Sequence, residues 1–368
     1  MAQKIRHVLG ISGGKDSAAL AIYMHDKYPE LDIEYYFCDT GKELAETMEL
    51  IRNMEIYFGK EIIRLSAVKN DHFTPFDYFY KSYKGYLPSS NARWCTKKLK
   101  LEPFESYISD DLAISYVGIR GDEDREGYIS TKSNIQSIFP FRKNIWSIDV
   151  LGTVFDNNHI KQLVSLCESL ADHTKLQQAI DIIKVPKSPK FLFSRKINSL
   201  LNIDIPLFNR IVFEFLKTTS YPTSRLKDFS LLTNEDNLVL ADIFRLLNDS
   251  GIGVPAYYHK VPFEVEGQHG EYARSRSGCF FCFFQQKIEW IWLYEQHPDL
   301  FHQAMEYEKE GYTWMQDERL LDLIQPTRLS QIKLSTIKAD NNKPTSKSPY
   351  LYDKIIEAEG IICANCFI

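Results

Sequence analysis

No stretch of the 368-residue chain comes near the roughly 18 to 20 uninterrupted apolar residues that a membrane span requires. The N-terminus, Met1-Ala2-Gln3-Lys4, runs into a strand-like segment with no apolar signal region, so a cytoplasmic chain without a membrane partner is expected. A basic excess is missing as well. The net charge of −5 excludes a uniformly basic polyanion binder, although it leaves room for a local patch. Cysteine is sparse and odd in number, seven residues at 38, 95, 167, 279, 282, 363 and 366. In a reducing compartment such a set excludes a disulfide framework, and its two C-x-x-C pairs point to metal or redox chemistry. The remaining composition, 44% hydrophobic and 25% charged, is that of a soluble globular chain. Its length allows two domains and a small third element.

The first third alternates strand and helix signals. Strands are expected at His7-Val8-Leu9-Gly10-Ile11, from Ile33 to Cys38, at Ile62-Ile63-Arg64-Leu65 and from Ile114 to Ile119. Helices are expected after Lys15, from about Glu43 to Tyr57, and from Lys97 to Ser109. This alternation predicts an α/β fold, a doubly wound parallel sheet whose ligands bind at the carboxyl ends of the strands. The expected divisions are a nucleotide domain over 1–156, a basic helical insert over 157–247, a C-x-x-C region completing the core over 248–329, and a linker with a Cys-containing helical tail over 330–368. Of Trp290, Trp292, Tyr294, Tyr307, Tyr312 and Trp314, most read as packing aromatics and not as a base-stacking platform.

Between the first strand and helix lies Ser12-Gly13-Gly14-Lys15-Asp16-Ser17. Adjacent glycines permit positive φ and a close backbone approach, and the helix start directs N–H groups and positive dipole at an anion. Lys15 adds a point charge, while Asp16 beside a phosphate makes sense as a Mg²⁺ ligand. A Walker A loop needs four residues between its glycines and then Gly-Lys-Ser/Thr, so this shorter loop suits a pyrophosphate group and cleavage at the α-phosphate of ATP. The bland alternative is a tight structural turn.

Together with Phe37-Cys38-Asp39-Thr40-Gly41-Lys42-Glu43, the segment from Arg93 through Trp94, Cys95 and Thr96 to Lys100, Gly118-Ile119-Arg120-Gly121-Asp122-Glu123 and Arg276-Ser277-Gly278-Cys279-Phe280-Phe281-Cys282, the loop resembles the N-type ATP pyrophosphatases and the phosphoadenosine phosphosulfate (PAPS) reductase family. The resemblance covers residues 1–150 and about 246–300, and implies an adenine nucleotide alpha hydrolase-like fold. It further implies an ATP site of Ser12, Gly13, Gly14, Lys15, Asp16, Ser17, Asp39, Thr40, Gly118 and Arg120, with Lys15, Asp16, Arg93 and Lys97 in the reaction. The similar ATP pyrophosphatases of DNA phosphorothioation carry a [4Fe–4S] cluster on comparable cysteines. By that likeness Cys95, Cys279 and Cys282 would bind iron, completed by Cys363 or Cys366 or left with an open site. A Zn²⁺ tetrad of Cys279, Cys282, Cys363 and Cys366 is the rival. Cys38 and Cys167 read as core thiols.

Residues 174–227 hold ten basic and three acidic side chains, a local +7 that leaves −12 for the rest of the chain. Lys184, Lys187, Lys190, Arg195 and Lys196 form a strip suited to a phosphate backbone, with a solvated helical surface as the bland reading. The expectation is therefore an ATP-dependent sulfur-transfer enzyme acting on nucleic acid, DNA before tRNA. It would be supplied by a cysteine desulfurase and work beside other subunits of a modification or defence complex. The alternatives are a sulfonucleotide reductase, or a nucleotide-sensing subunit that binds ATP without turning it over. Against the reductase, Trp94 stands where that family has the first of a Cys-Cys pair, and the tail reads Cys363-Ala364-Asn365-Cys366-Phe367-Ile368.

Overall fold

The computed structural model describes residues 4–69, 72–123, 125, 130–170, 174–276 and 278–342. Its centre is a five-stranded parallel sheet in the order β3-β2-β1-β4-β5. The strands are β1 (Arg6–Gly10), β2 (Ile33–Asp39), β3 (Ile63–Ser66), β4 (Ala113–Tyr116) and β5 (Ile135–Ile138). The order reverses between β1 and β4, which pair with Val8 beside Ser115, and this is where an open α/β sheet leaves a crevice. Helices α1 (Lys15–Lys27), α2 (Ala45–Phe58) and α3 (Pro75–Ser82) follow the first three strands. The α/β fold expected from the alternation is the one observed.

β5 gives little sequence signal, because its Gln136 and Ser137 are polar yet buried. The Gln136 side-chain oxygen is satisfied by Thr223, whose N and Oγ1 donate to it at 3.0 and 2.8 Å. The helix expected from Lys97 is three pieces: α4 (Trp94–Thr96), a π-helical turn (Lys97–Leu101) and α5 (Glu102–Ile108). Such π turns widen a helix locally and recur at functional sites.

Beyond the sheet come α6 (Ile148–Val154), α7 (Ile160–Ser169), α8 (Leu176–Lys184), α9 (Phe193–Ile203), α10 (Ile205–Leu216) and α11 (Leu240–Asp249). Their apolar faces, including Leu163, Ile183, Phe208 and Ile211, belong to the same buried cluster as Leu9, Leu20 and Trp146 of the sheet region. Lys196 corrects the expected basic strip: it is wholly buried, and its Nζ donates to the carbonyls of Ile183 and Val185 at 2.8 and 2.7 Å. It ties off the end of α8 and is not offered to a partner. Lys187 lies 3.7 Å from Asp156, whereas Lys184, Lys190 and Arg195 are exposed.

A second core contains a hairpin, β6 (Val261–Val265) and β7 (Gln268–Tyr272), with α12 (Lys287–Gln296), α13 (Pro298–Glu306), α14 (Leu320–Leu323) and α15 (Pro326–Asn342). The hairpin turns at Glu266 and Gly267, both at positive φ (48° and 71°). α15 corrects the linker expected from residue 330. Its Ile332 and Ile337 are buried, and Lys333 pairs with Glu295 at 2.6 Å, so one face docks on the hairpin despite a weak local signal. Among the described residues no helix is long and apolar enough to cross a membrane.

Candidate functional site

Ser12 to Ser17 sits at the mouth of the β1/β4 crevice, and its four side-chain-bearing residues are buried. Gly13 has φ +81°, and a Cβ there would meet Thr47 Cγ2 at 2.4 Å, so only glycine closes this turn against α2. Gly118, after β4, comes so close that a Cβ would lie 2.9 Å from the Asp16 carbonyl oxygen. The loop holds itself: Ser12 N donates to Ser17 Oγ, and Ser17 Oγ donates to the Gly14 carbonyl, both at 3.1 Å. No side chain caps α1, as an anion site at its N-terminus would require, although Lys15, Asp16 and Ser17 of its first turn are buried.

The charges within the loop are not arranged as the sequence suggests. Arg120 is 1% exposed and is held among carboxylates: Nη1 to Asp16 at 2.8 Å, Nε to Asp122 at 2.9 Å, and Nη2 3.7 Å from Glu123. It serves here as the counter-ion of Asp16. Burial alone would raise the Asp16 pKa, but Lys15 and Arg120 outweigh it and hold the carboxyl below its usual range. With one Asp16 oxygen on Arg120 and the other 3.5 Å from Lys15, the carboxylate expected to ligate Mg²⁺ is already matched to cations. It does not fit an open Mg²⁺ site in this arrangement.

Residues remote in sequence complete the surroundings. Tyr257 donates its hydroxyl to the Gly13 carbonyl, and the Tyr258 ring lies 5.0 Å from the Lys15 ammonium. Lys15, Tyr258, Arg274, Ser275 and Gln286 line one cavity of about 140 Å³. Sequence reading missed Tyr257, Tyr258 and Arg274, because nothing local distinguishes them from ordinary packing residues.

Asp39 ends β2 and Thr40 follows it. Asp39 Oδ1 accepts from Gly41 N at 2.8 Å, an Asx-type turn. Thr40 Oγ1 donates to Glu43 Oε1 at 2.5 Å and stands 3.2 Å from Cys279 Sγ. With the Thr40 proton directed at Glu43, the Cys279 thiol is the donor to Thr40. Glu43 and Cys279 form a backbone bridge, and Phe280 N donates to Lys42 O at 2.7 Å, so the C-x-x-C loop is stitched to the β2–α2 turn.

Cys95, Cys279 and Cys282 line a single cavity of about 60 Å³ with Thr40, Phe76, Phe281, Phe283, Phe284 and Trp314. The structure thus gathers thiols separated by more than 180 residues. Burial pushes Cys95 up to about 12, with Cys282 adding to it, and burial with the nearby Glu43 does the same for Cys279. Glu43 is itself raised by burial, partly offset by the Thr40 hydrogen bond. Cys279, Thr40 and Glu43 therefore form a chain along which a thiol proton can pass to a carboxylate. The donor set, three thiols in a dry aromatic shell, suits a soft metal. Among the described residues, however, no three His, Cys, Asp or Glu side chains are drawn together as a metal group. Cys363 and Cys366 lie outside the described residues.

Arg93 and Lys97, expected to act in the reaction, are not among the residues lining this cavity. Arg93 Nε donates to Ser90 O at 3.2 Å, its guanidinium lies 5.1 Å from the Phe284 ring, and Lys97 is exposed. Cys38 and Cys167 are buried elsewhere, in the core as expected.

Residues 6–143 match the phosphoadenosine phosphosulfate reductase domain. That span carries the whole sheet, the loop from Ser12 to Ser17, Cys95 and Arg120, while Cys279 and Cys282 lie beyond it. Two proteins of Methanocaldococcus jannaschii, both described as uncharacterized, are similar to the chain. One is 32% identical over 154 residues, 38% of this chain and 30% of that protein. The other is 27% identical over 158 residues, 40% of this chain and 36% of its own length. The similarity therefore spans about a third of these curated relatives. No solved structure matches the chain.

Proposed function

We propose that the chain is an ATP pyrophosphatase that adenylates an acceptor oxygen and then replaces it with sulfur handled in the three-thiol cavity. The observation that carries this reading is the shared β2–α2 turn. Thr40 and Glu43 touch the C-x-x-C loop, and Thr47 of α2 supports Gly13, so phosphate loop and thiols lie on two sides of one element. The β- and γ-phosphates of ATP would lie at the first turn of α1, beside Lys15. Attack of the acceptor oxygen on the α-phosphorus breaks the α–β bridge and releases pyrophosphate. The adenylate makes that oxygen a leaving group, departing as AMP.

Sulfur would arrive as a persulfide on one cavity cysteine, from a desulfurase-type donor. Its outer sulfur forms the new bond to the acceptor. A second cavity thiol then attacks the inner sulfur, freeing the thiolated product and leaving a disulfide that a thiol reductant reopens. Two cysteines are the minimum for this sequence, and the cavity offers three. With Cys95 and Cys279 pushed up to about 12, both are protonated at neutral pH, and the Thr40–Glu43 chain gives Cys279 a route to lose its proton. A soft metal on Cys95, Cys279 and Cys282 is the alternative to this persulfide route: it would keep those sulfurs ionised and supply Lewis acidity, leaving none free to carry a persulfide. The exposed Lys184, Lys190 and Arg195 support a nucleic-acid acceptor.

The test is product identity. The purified protein with the magnesium salt of ATP and acceptor should release pyrophosphate and AMP, and Lys15→Ala should abolish this. Orthophosphate and ADP as the only products would sink the reading. The matched PAPS reductase domain favours a second reading, attack of a cavity thiol on the sulfur of a sulfonucleotide. That protein would release sulfite from the sulfonucleotide without consuming ATP.

A further inference from the structure

We propose that the crevice beside the thiol cavity is a nucleobase site, placing the base of the acceptor next to the reacting sulfur. The inference rests on the reading that the thiol cavity is the reacting end. Two loops build the crevice: residues 86–91, between α3 and α4, and residues 311–316, between α13 and α14, with Phe283 closing one side. Its volume is about 540 Å³, within the range of small-molecule sites. Pro88, Phe283 and Trp314 are walls of both this crevice and the thiol cavity, so a ligand in one abuts the other.

The lining decides the ligand class. Not one lysine, arginine, histidine, aspartate or glutamate is among the lining residues, which disfavours a phosphate or a metal ion as the occupant. An aliphatic chain would bury the polar groups of Ser89, Ser90, Asn91, Thr313 and Gln316 at a cost. Asn91 and Gln316 are exposed, and their amides make no side-chain hydrogen bond among the described residues. At the rim Tyr86 and Tyr312 are 42% and 47% exposed, with ring centroids 5.6 Å apart at an interplanar angle of 76°.

In that edge-to-face arrangement one tyrosine face stays open for a second planar ring. Tyr312 is the exposed member of its aromatic group, whereas Trp290, Trp292 and Trp314 are buried. The rims are held rigid. Lys309 and Tyr312 exchange both backbone hydrogen bonds at 2.9 Å, Trp94 Nε1 donates to Tyr86 O at 3.1 Å, and Trp314 Nε1 donates to Ala304 O at 2.8 Å. A flat heteroaromatic with donors and acceptors along its edge satisfies both halves of this lining: its face on tyrosine, its edge on Asn91 and Gln316.

The base can come from a polynucleotide or a free nucleotide, and two ligands separate them. The probes for the full chain are a short labelled oligothymidylate and the same sugar–phosphate chain with every base removed, competed by unlabelled nucleoside monophosphates. Tyr86→Ala and Tyr312→Ala should each weaken the intact strand on the order of tenfold and leave the base-free strand within about twofold. Gln316→Leu should alter which of the four bases is preferred. Strand binding that monophosphates fail to compete assigns a polynucleotide base. Monophosphates that bind alone with the same tyrosine dependence assign a free nucleotide.

Unchanged affinity of both tyrosine variants for the intact strand overturns the site. So does a raised KM for ATP in those variants, because the crevice would then hold the adenine of ATP itself. Both tyrosines sit at an exposed rim, so the variants should fold. Pyrophosphate release by the wild type, measured in parallel, reports separately on the adenylation reading.

Discussion

Alanine at Gly13 separates two physical reasons for the glycine, and a second substitution can return one of them. The first cost is conformational: at φ +81° an L side chain is strained by about 1–2 kcal/mol. The second is steric. The new Cβ would lie 2.4 Å from Thr47 Cγ2 and 3.4 Å from Thr47 Cβ and Oγ1. Thr47 is fully buried on α2 and cannot swing away, so overpacking should add about 1–3 kcal/mol. The total, about 2–5 kcal/mol, is a large part of the ~5–15 kcal/mol that holds a typical domain together.

Thr47→Ser deletes Cγ2 and keeps the hydroxyl. The double variant Gly13→Ala/Thr47→Ser should therefore recover the steric part and retain the conformational one, a coupling of about 1–3 kcal/mol. Urea denaturation at constant m reads the stability change, and pyrophosphate release reads the loop. Because the Gly13 carbonyl accepts from Tyr257, displacing it should reduce turnover even where the fold survives. A loss under about 0.5 kcal/mol for Gly13→Ala, or none recovered by Thr47→Ser, would refute this account of the loop.

Lys196 gives a pH test. Burial, with Lys187 adding to it, lowers its pKa from 10.5 to about 8. Between those values the unfolded chain binds a proton that the folded chain does not, so stability should rise with pH across that window. Relative to Lys196→Met the gain should be about 2–3 kcal/mol, and parallel denaturation curves for the two proteins from pH 7 to 10.5 would exclude it. Anaerobic reconstitution should give a protein that holds iron with broad visible absorption, lost in Cys95→Ser, Cys279→Ser and Cys282→Ser alike. Full metal content in Cys95→Ser would instead leave that thiol outside the centre. Glutamate at Lys184, Lys190 and Arg195 should weaken duplex DNA binding and flatten its salt dependence by about 0.9 log units per lost phosphate contact. Identical salt slopes for wild type and variant would make the strip a solvated surface.

The amino-acid sequence by itself determined four of the five strands of the parallel sheet and the place of the phosphate loop. Apolar runs such as Val8-Leu9 and Tyr35-Tyr36-Phe37 are buried on both faces whatever lies around them, and Gly13 of the double glycine before Lys15 answers a local demand for positive φ. Polar groups at buried positions were illegible, because their satisfaction comes from elsewhere in the chain. β5 needs Thr223 to accept the burial of Gln136, and α15 becomes ordered because Ile332, Lys333 and Ile337 find the hairpin. The same holds for charge. Lys196 counts as basic in any window, but two carbonyls and a closed core remove it from the surface, and Arg120 is taken up by three carboxylates.

The site divides along this line. Each C-x-x-C or Cys95 segment could be noticed alone, while their meeting in one aromatic cavity depends on the Thr40–Cys279 contact and the Glu43–Cys279 bridge. Only long-range packing makes such contacts, because their partners lie some 240 residues apart and no local periodicity records the distance.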